Sequence, residues 1–220
     1  MHDTTDSDLP VASVVTTVYN REHTLARAMA SVLTQSFTDF EYIIVDDGST
    51  DASVHIAGSS GDPRVRLLRE THRGRPAALN TAFSHCRGRY ILIQDSDDIA
   101  LPERFSEQIS YLEQHPETGL LGCDVLLTDP AETSRRILRM PREHDDIRHL
   151  MPLTNAVVFG ACCIRVAHIP DTLRFDESMP AAEDFDFQLR LLRVTRFHNL
   201  PLLLLHIIET PDSLSRRPDG

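Results

Sequence analysis

Tyr90-Ile91-Leu92-Ile93-Gln94-Asp95-Ser96-Asp97-Asp98 runs from an apolar stretch straight into three carboxylates within four positions. The residues before Gln94 are of the aromatic and aliphatic kind that strands favour, and they follow the turn-like Arg87-Gly88-Arg89. An apolar run without polar alternation predicts a strand buried on both faces, as in a parallel sheet. Open α/β sheets bind ligands outside the carboxyl ends of such strands, which is where these aspartates fall. Asp95 and Asp97 are two apart, so an extended backbone would point both the same way, toward one shared hard cation. Asp and Ser are also common turn formers, and a plain polar turn before a helix starting near Pro102 is equally open here. An EF-hand calcium loop does not fit, because Ala100 stands where the sixth-position glycine is required.

Outward from this stretch, the first half alternates strands with helices. Residues 11–18 are β-rich and end in Tyr19-Asn20, and a helix follows with Leu25, Ala28, Met29, Val32 and Leu33 at helical spacing. A second strand, 40–45, runs into Asp46-Asp47-Gly48-Ser49-Thr50-Asp51, where Ser49 or Thr50 is placed to cap the next helix. A short strand at 65–68 and a helix at 77–84 lead to the Tyr90 strand. This alternation predicts βαβ crossovers and a Rossmann-like, mostly parallel sheet with helices on both faces. Beyond Pro102 the pattern predicts a helix to about 115 and a strand at 120–127. A polar hairpin or loop with a short helix follows over 128–151, then an apolar strand at 156–166, a helix at 183–194 and a strand at 202–208. One domain over 9–215 is expected, with a nucleotide-type half to about 100, a mixed α/β half after it, and flexible tails at 1–8 and 216–220.

Composition narrows the function. A formal charge of -11 with no basic run argues against a nucleic-acid surface. Every cationic side chain apart from histidine is Arg, so Schiff-base and P-loop lysine chemistry are both absent. Cys86, Cys123, Cys162 and Cys163 show no CxxC pairing, which predicts reduced thiols and a cytoplasmic setting rather than a zinc site. The acidic start of the chain is unlike a signal peptide, and the apolar stretch 200–208 is too short to span a bilayer.

Three strand ends, at Thr17-Val18-Tyr19-Asn20, Asp46-Asp47-Gly48-Ser49 and Asp95-Ser96-Asp97-Asp98, would converge on one edge of a parallel sheet. Carboxylates concentrated in this way suit a divalent cation facing a phosphate. Tyr19 offers a surface for a base, and Arg75, opening the helix ahead of Pro76, can pair with phosphate oxygens. In the second half, Ala181-Ala182-Glu183-Asp184-Phe185 has two readings. Acidic residues in a first helical turn suit the helix dipole, or they supply a carboxylate base aimed into the cleft.

Together these motifs resemble the family 2 glycosyltransferases of the GT-A fold. Val15-Thr16-Thr17-Val18-Tyr19-Asn20 is similar to that family's opening strand, and residues 33–51 follow its next block almost position for position. Arg75-Pro76-Ala77-Ala78-Leu79-Asn80 resembles its next helix, Gln94-Asp95-Ser96-Asp97-Asp98 its DxD motif, and Glu183-Asp184 its late ED motif. The resemblance is strong over about 11–112 and returns around 175–193.

The resemblance implies an inverting enzyme that takes a sugar from a nucleotide-diphosphate sugar, most often UDP-linked. Thr17 and Tyr19 would line the base pocket, and Asp47, with Asp46, would read the base. Arg75 would approach the base or the diphosphate. Asp95, beside Ser96, would contact ribose or sugar, and Asp97, with Asp95, would hold Mn²⁺ or Mg²⁺. Asp184, next to Glu183, would deprotonate the acceptor hydroxyl. The acceptor itself (glycan, lipid-linked or small molecule) is not specified, and a homodimer is compatible with the sequence. The chain departs from the family pattern late, where Glu209 or Thr210 stands in place of an expected histidine and His206 falls too early. The alternative reading is a GT-A-like domain that binds a nucleotide or partner without turnover.

Overall fold

A computed structural model describes residues 9–131, 133–179 and 181–209. Strands β1 (Ala12–Val18), β2 (Phe40–Asp46), β3 (Val65–Arg69) and β4 (Tyr90–Ile93) form the parallel part of one sheet, in the order β3-β2-β1-β4. Every residue of β2 and β4 is buried, as expected of central parallel strands covered on both sides. Helices α1 (Leu25–Leu33), α2 (Ser53–Gly58) and α3 (Arg75–His85) make the crossovers.

The second half extends the same sheet. It contributes β5 (Ile99–Ala100), α4 (Arg104–Gln114), β6 (Thr118–Thr128), β7 (Arg135–Leu138), α5 (His144–Leu150), β8 (Cys163–Arg165), α6 (Glu183–Leu191) and β9 (Arg196–Ile208). Beyond β4 the order is β8-β6-β9-β5, and β7 pairs with β6. β8 is antiparallel to both β4 and β6, and β9 is parallel to β6. Two reversals therefore turn β6 and β9 back to the direction of β4, and their carboxyl ends point to the same edge. The GT-A expectation holds, with parallel pairing through the first half and mixed pairing through the second.

Side-chain alternation splits the core into two layers. Val14, Tyr42 and Leu92 face Leu25 of α1 and Phe105 of α4. Val15, Ile43 and Ile91 face Leu79 of α3 and Phe187 of α6. On that second face, Phe175 stacks on Phe187 at 4.3 Å, and the Phe83 ring of α3 meets both edge-on. Each such ring pair adds about 0.5–1.5 kcal/mol beyond its buried area. Asn80 fixes the same junction, donating to Phe175 O at 3.0 Å and accepting from Phe175 N at 2.9 Å.

Two local expectations fail. The apolar run 156–166 is mostly not a strand: a 3₁₀ turn, Phe159–Ala161, precedes the three-residue β8. Burial on both sides gives such a run its apolar character whatever its backbone conformation. Ser49 and Thr50 do not cap α2, because both are engaged with Asn20, which donates its N–H to Ser49 Oγ and accepts from Thr50 N. Asp51 serves there instead, accepting from Ser53 N at 2.9 Å and from Glu22 N at 3.0 Å.

Arg104 is fully buried and bonds only neutral acceptors: Ile93 O at 2.7 Å, Gln94 Oε1 at 3.0 Å, Gln108 Oε1 at 3.1 Å and Cys162 O at 3.4 Å. Burial draws its pKa below the ordinary arginine value. Removing the guanidinium would strand several buried acceptors at about 1–3 kcal/mol each. Arg104→Met is expected to lower unfolding stability by about 3 kcal/mol or more, read as a drop in the urea midpoint at unchanged slope.

Candidate functional site

The carboxyl ends of β1, β2 and β4 lie side by side, so the three polar clusters do meet. Thr17 is half-buried at the end of β1, and the Tyr19 ring, 43% exposed, stacks on His72 at 4.0 Å. At the end of β2, Asp47 is buried and organises the loop before α3. Its Oδ1 accepts from Arg73 N at 2.8 Å, and its Oδ2 accepts from Gly74 N at 2.9 Å and meets His72 Nδ1 at 2.8 Å. Three of a carboxylate's roughly four acceptor positions are thus used inside the chain. Gly48, at φ +75°, permits this packing, since a Cβ there would lie 2.7 Å from the His72 backbone nitrogen. Asp46 accepts from Ser49 N at 3.2 Å through Oδ2, while its buried Oδ1 has no hydrogen-bond partner.

The acidic segment after β4 is a turn, which corrects the extended geometry expected for Asp95 and Asp97. Asp98 N–H donates to Asp95 O at 3.4 Å, and Gln94 Nε2 donates to Asp95 O at 3.0 Å and to Asp98 O at 2.9 Å. Gln94 is in turn held by Arg104, so a buried polar brace sets the shape of the turn. Ser96 and Asp98 are buried within it, and Asp95 and Asp97 are partly exposed. Arg27 reaches the turn from α1, 3.5 Å from Asp97 O.

Arg75 joins the two halves. Its guanidinium lies 2.9 Å from Asp95 Oδ1, 2.5 Å from Glu183 Oε1 and 3.7 Å from Asp184 Oδ2. Burial alone would lower its pKa, but Asp95, Asp184 and Glu183 outweigh that and hold it firmly charged. Glu183 is buried against Arg75, while Asp184 keeps 30% side-chain exposure. Burial raises the Asp184 carboxyl above the ordinary range; Arg75 partly offsets this, and Glu183 and Asp95 add to it. Ala182, immediately before α6, holds the left-handed conformation at φ 61°, an uncommon one for a residue with a Cβ.

Among the described residues, no three His, Cys, Asp or Glu side chains group to enclose a cation. Mg²⁺ and Mn²⁺ prefer oxygen ligands, and Mg²⁺ is commonly held by one or two carboxylates together with substrate phosphates. Asp95 and Asp97 are partly exposed carboxylates on one turn, and so are donors of the type such a cation takes. Burial first, then the Asp95 charge, raises the Asp97 carboxyl above its ordinary range. Gly160 packs directly against the Asp95 carboxylate, where a Cβ would collide, and that Cβ would lie 3.4 Å from Asp98 Oδ2.

Sequence reasoning passed over His72, Asn80 and Gly160 as site residues. For Gly160 a signal existed, since a lone glycine inside an apolar run often marks close backbone approach. Glu209 follows β9, where its N–H donates to Thr128 O at 2.8 Å and its carboxylate lies 3.9 Å from Arg136. His206 lies within β9, bonded to Thr128 Oγ1 at 2.8 Å. Thr210 lies outside the described residues, as do the expected tails at 1–8 and 216–220.

A sequence profile described as Glycosyl transferase family 2 matches residues 13–171. EpsE of Bacillus subtilis, named as a glycosyltransferase, is 32% identical over 215 residues, covering 94% of this chain and 76% of its own length. The amylovoran biosynthesis glycosyltransferase AmsE of Erwinia amylovora is 29% identical over 219 residues, covering 93% of this chain and 79% of its own. Among solved structures, S. aureus TarS 1-349 in complex with UDP-GlcNAc superposes with a TM-score of 0.75 at 21% identity, over 92% of this chain. The mannosyltransferase PcManGT from Pyrobaculum calidifontis, in complex with GDP-Man and Mn²⁺, gives 0.71 at 17% identity over 93%. The chain spans 59% of the length of each of these two solved chains.

Asp98 is buried, and burial together with the charges of Asp95 and Asp97 lifts its carboxyl well above the usual range. A carboxyl whose pKa is raised by folding favours the fold at low pH and loses that contribution as pH rises through the folded value. Asp98→Asn is therefore expected to raise unfolding stability at neutral pH by roughly 0.5–2 kcal/mol. The gain should shrink as pH falls toward the ordinary carboxylate value near about 4, measured by urea denaturation across pH.

Proposed function

The chain belongs to glycosyl transferase family 2, and we propose that it is an inverting enzyme that moves a sugar from a nucleotide-diphosphate sugar, UDP-linked, to an acceptor hydroxyl. The observation that carries this reading is the Arg75 cluster. One guanidinium draws the acidic turn of the nucleotide half and the Glu183-Asp184 pair of the other half to a single point. A reaction between a donor on one half and an acceptor on the other needs that convergence.

On this reading Thr17 and Tyr19 border the base, and Asp46 and the remaining acceptor position of Asp47 receive its N–H groups. Ser96 lines the turn, and Asp95 and Asp97 hold Mg²⁺ or Mn²⁺ with the diphosphate. When bound, the cation neutralises charge building on the departing diphosphate. Arg75 has donors to share with phosphate oxygens once its carboxylate partners turn elsewhere. Glu183, buried against Arg75, positions that guanidinium rather than taking a proton itself. Asp184 retains an exposed oxygen and accepts the proton as the acceptor oxygen bonds to the anomeric carbon, on the face opposite the leaving diphosphate.

The test of donor and metal is a thermal-shift titration with UDP, GDP, dTDP and CDP, each with and without Mn²⁺. A nucleotide at a hundred times its Kd stabilises by about 2.7 kcal/mol. A UDP shift that depends on Mn²⁺ and disappears in Asp97→Ala is expected; a wild-type chain that responds to none of the four would refute the donor assignment.

Asp184 must be ionised to act, so kcat should fall as pH drops through its raised pKa, at higher pH than the ordinary value of about 4 would give. Arg75→Gln removes the charge that offsets burial and should move that acid limb upward. Asp184→Asn should lower kcat by about 10²–10⁴-fold with donor binding retained; an unchanged kcat would exclude it as the base.

A further inference from the structure

β9 begins at Arg196 and runs parallel to β6, so its amino end lies at the sheet edge opposite the acidic turn. There, between the start of α5 and the end of α6, His144, Arg148, Leu189, Leu192, Arg193 and Arg196 line a cavity of about 730 Å³. That volume is within the range of roughly 300–1,000 Å³ usual for small-molecule sites. α6 separates the cavity from Asp184, which stands in its first turn, by about 10 Å of helix. The connection that carries Arg193 and Arg196 is fixed. Val194 N–H and Thr195 N–H both donate to Leu191 O, at 3.0 and 3.2 Å, and Thr195 Oγ1 bonds His168 Nδ1 at 2.6 Å.

Carboxylates are plentiful in this chain, 33 against 22 basic side chains, and elsewhere arginines meet them closely. Arg64 lies 2.8 Å from Asp62, Arg142 2.6 Å from Asp124 and Arg190 2.5 Å from Asp186. Around the cavity, Arg193 and Arg196 form no ion pair among the described residues. Arg148 reaches only Asp145, at 4.0 Å, with both side chains mostly exposed. His144 adds a neutral donor. Its Nδ1 accepts from Phe197 N–H at 3.2 Å, which leaves the ring proton on Nε2. Burial and then the Arg196 charge lower its pKa; Asp145 opposes this and Arg148 adds to it, so the ring is neutral at pH 7. Two of the three guanidinium charges thus act on one ring, and like charges held so near one another favour entry of an anion.

We propose that this cavity binds a phosphate ester, its phosphoryl oxygens among Arg148, Arg193, Arg196 and His144 Nε2–H and its carbon portion against Leu189 and Leu192. The chemistry of the lining selects this class. Guanidinium groups and an N–H are donors only, and a phosphate ester brings close to two charges and three acceptor oxygens to meet them. A carboxylate brings one charge and two oxygens. Leu189 is half-buried and Leu192 is 8% exposed, so the cavity has an apolar wall beside its cationic mouth. The cavity lies apart from the proposed donor pocket, and its ligand is additional to the glycosyltransferase reading.

The experiment measures phenyl phosphate binding to the full chain by calorimetry at fixed ionic strength, with EDTA present so that no divalent cation draws the phosphate to Asp95 and Asp97. Binding is expected to be tighter than that of inorganic phosphate, because the phenyl ring meets Leu189 and Leu192. Replacing both Arg193→Gln and Arg196→Gln should weaken it by about tenfold or more, and the matching pair of Lys substitutions should weaken it less. Both side chains are exposed, so the fold should be kept, which an unchanged urea midpoint checks. Arg75→Gln at the candidate active site should leave the binding unchanged. So should Arg89→Gln, which removes a 65% exposed side chain paired with Glu113. Sedimentation with phosphatidic acid vesicles, using the same variants, distinguishes a lipid headgroup from a soluble ester; binding in either assay that is lost in the double Gln variant upholds the site. Absence of binding in both assays, equal affinity for phenyl and inorganic phosphate, or binding lost in Arg75→Gln but kept in the double Gln variant overturns the proposal.

Discussion

The Arg75 guanidinium is shared among carboxylates from two parts of the chain that are more than eighty positions apart in sequence, Asp95 on one side and Glu183 with Asp184 on the other. Four charged groups so close and partly shielded from water would be costly in any other arrangement, because each desolvated charge needs a partner. The three carboxylates outnumber the one guanidinium, so the cluster retains an excess of negative charge. That excess gives a cationic ligand an electrostatic reason to enter, and it adds to the burial that raises the Asp97 and Asp184 carboxyls above the ordinary range. Removing Arg75 would leave Asp95, Glu183 and Asp184 without the cation they share, so the site acts as a unit.

Behind this cluster the acidic turn is held from below. Arg104 supplies donors to Ile93 and Gln94, and Gln94 passes the restraint on to the carbonyls of Asp95 and Asp98. Gln108 extends the network to the carbonyls of Leu121 and Ala161, so the turn and the glycine-bearing segment that touches Asp95 share one support. A buried polar network of this kind is stabilising when its members are satisfied and costly when one is removed. The turn therefore carries like charges that weaken the fold, on a frame rigid enough to tolerate them. Such a trade of stability for function is expected at a binding site.

The second half reaches the same edge by a different route. The antiparallel β8 stands between β4 and β6, so strand direction reverses on each side of it and β6 and β9 present their carboxyl ends beside those of the first half. α6 then brings Glu183 and Asp184 over the sheet, its approach fixed by the ring cluster of Phe83, Phe175 and Phe187. Asn80 of α3 clamps the segment leading into it. The two halves are joined by packing as well as by charge, and the position of Asp184 follows from both.

The α/β class, the parallel first half, the edge on which the polar strand ends meet, and the family were all legible in the linear chain. Those features rest on local periodicity and on short motifs whose residues lie within one strand-to-helix connection, and such signals survive in a linear reading. The bend of the acidic turn did not, because it depends on Arg104, Gln94 and a glycine some sixty positions away in the chain. The irregular segment before β8 looked like a strand because burial makes any backbone conformation apolar in sequence. The use of Asp47 to hold the loop of His72 and the role of Asp51 beside α2 both depend on contacts between elements remote in sequence. Folding settles these features, because hydrogen bonds and burial depend on which surfaces meet and a linear pattern does not record that meeting.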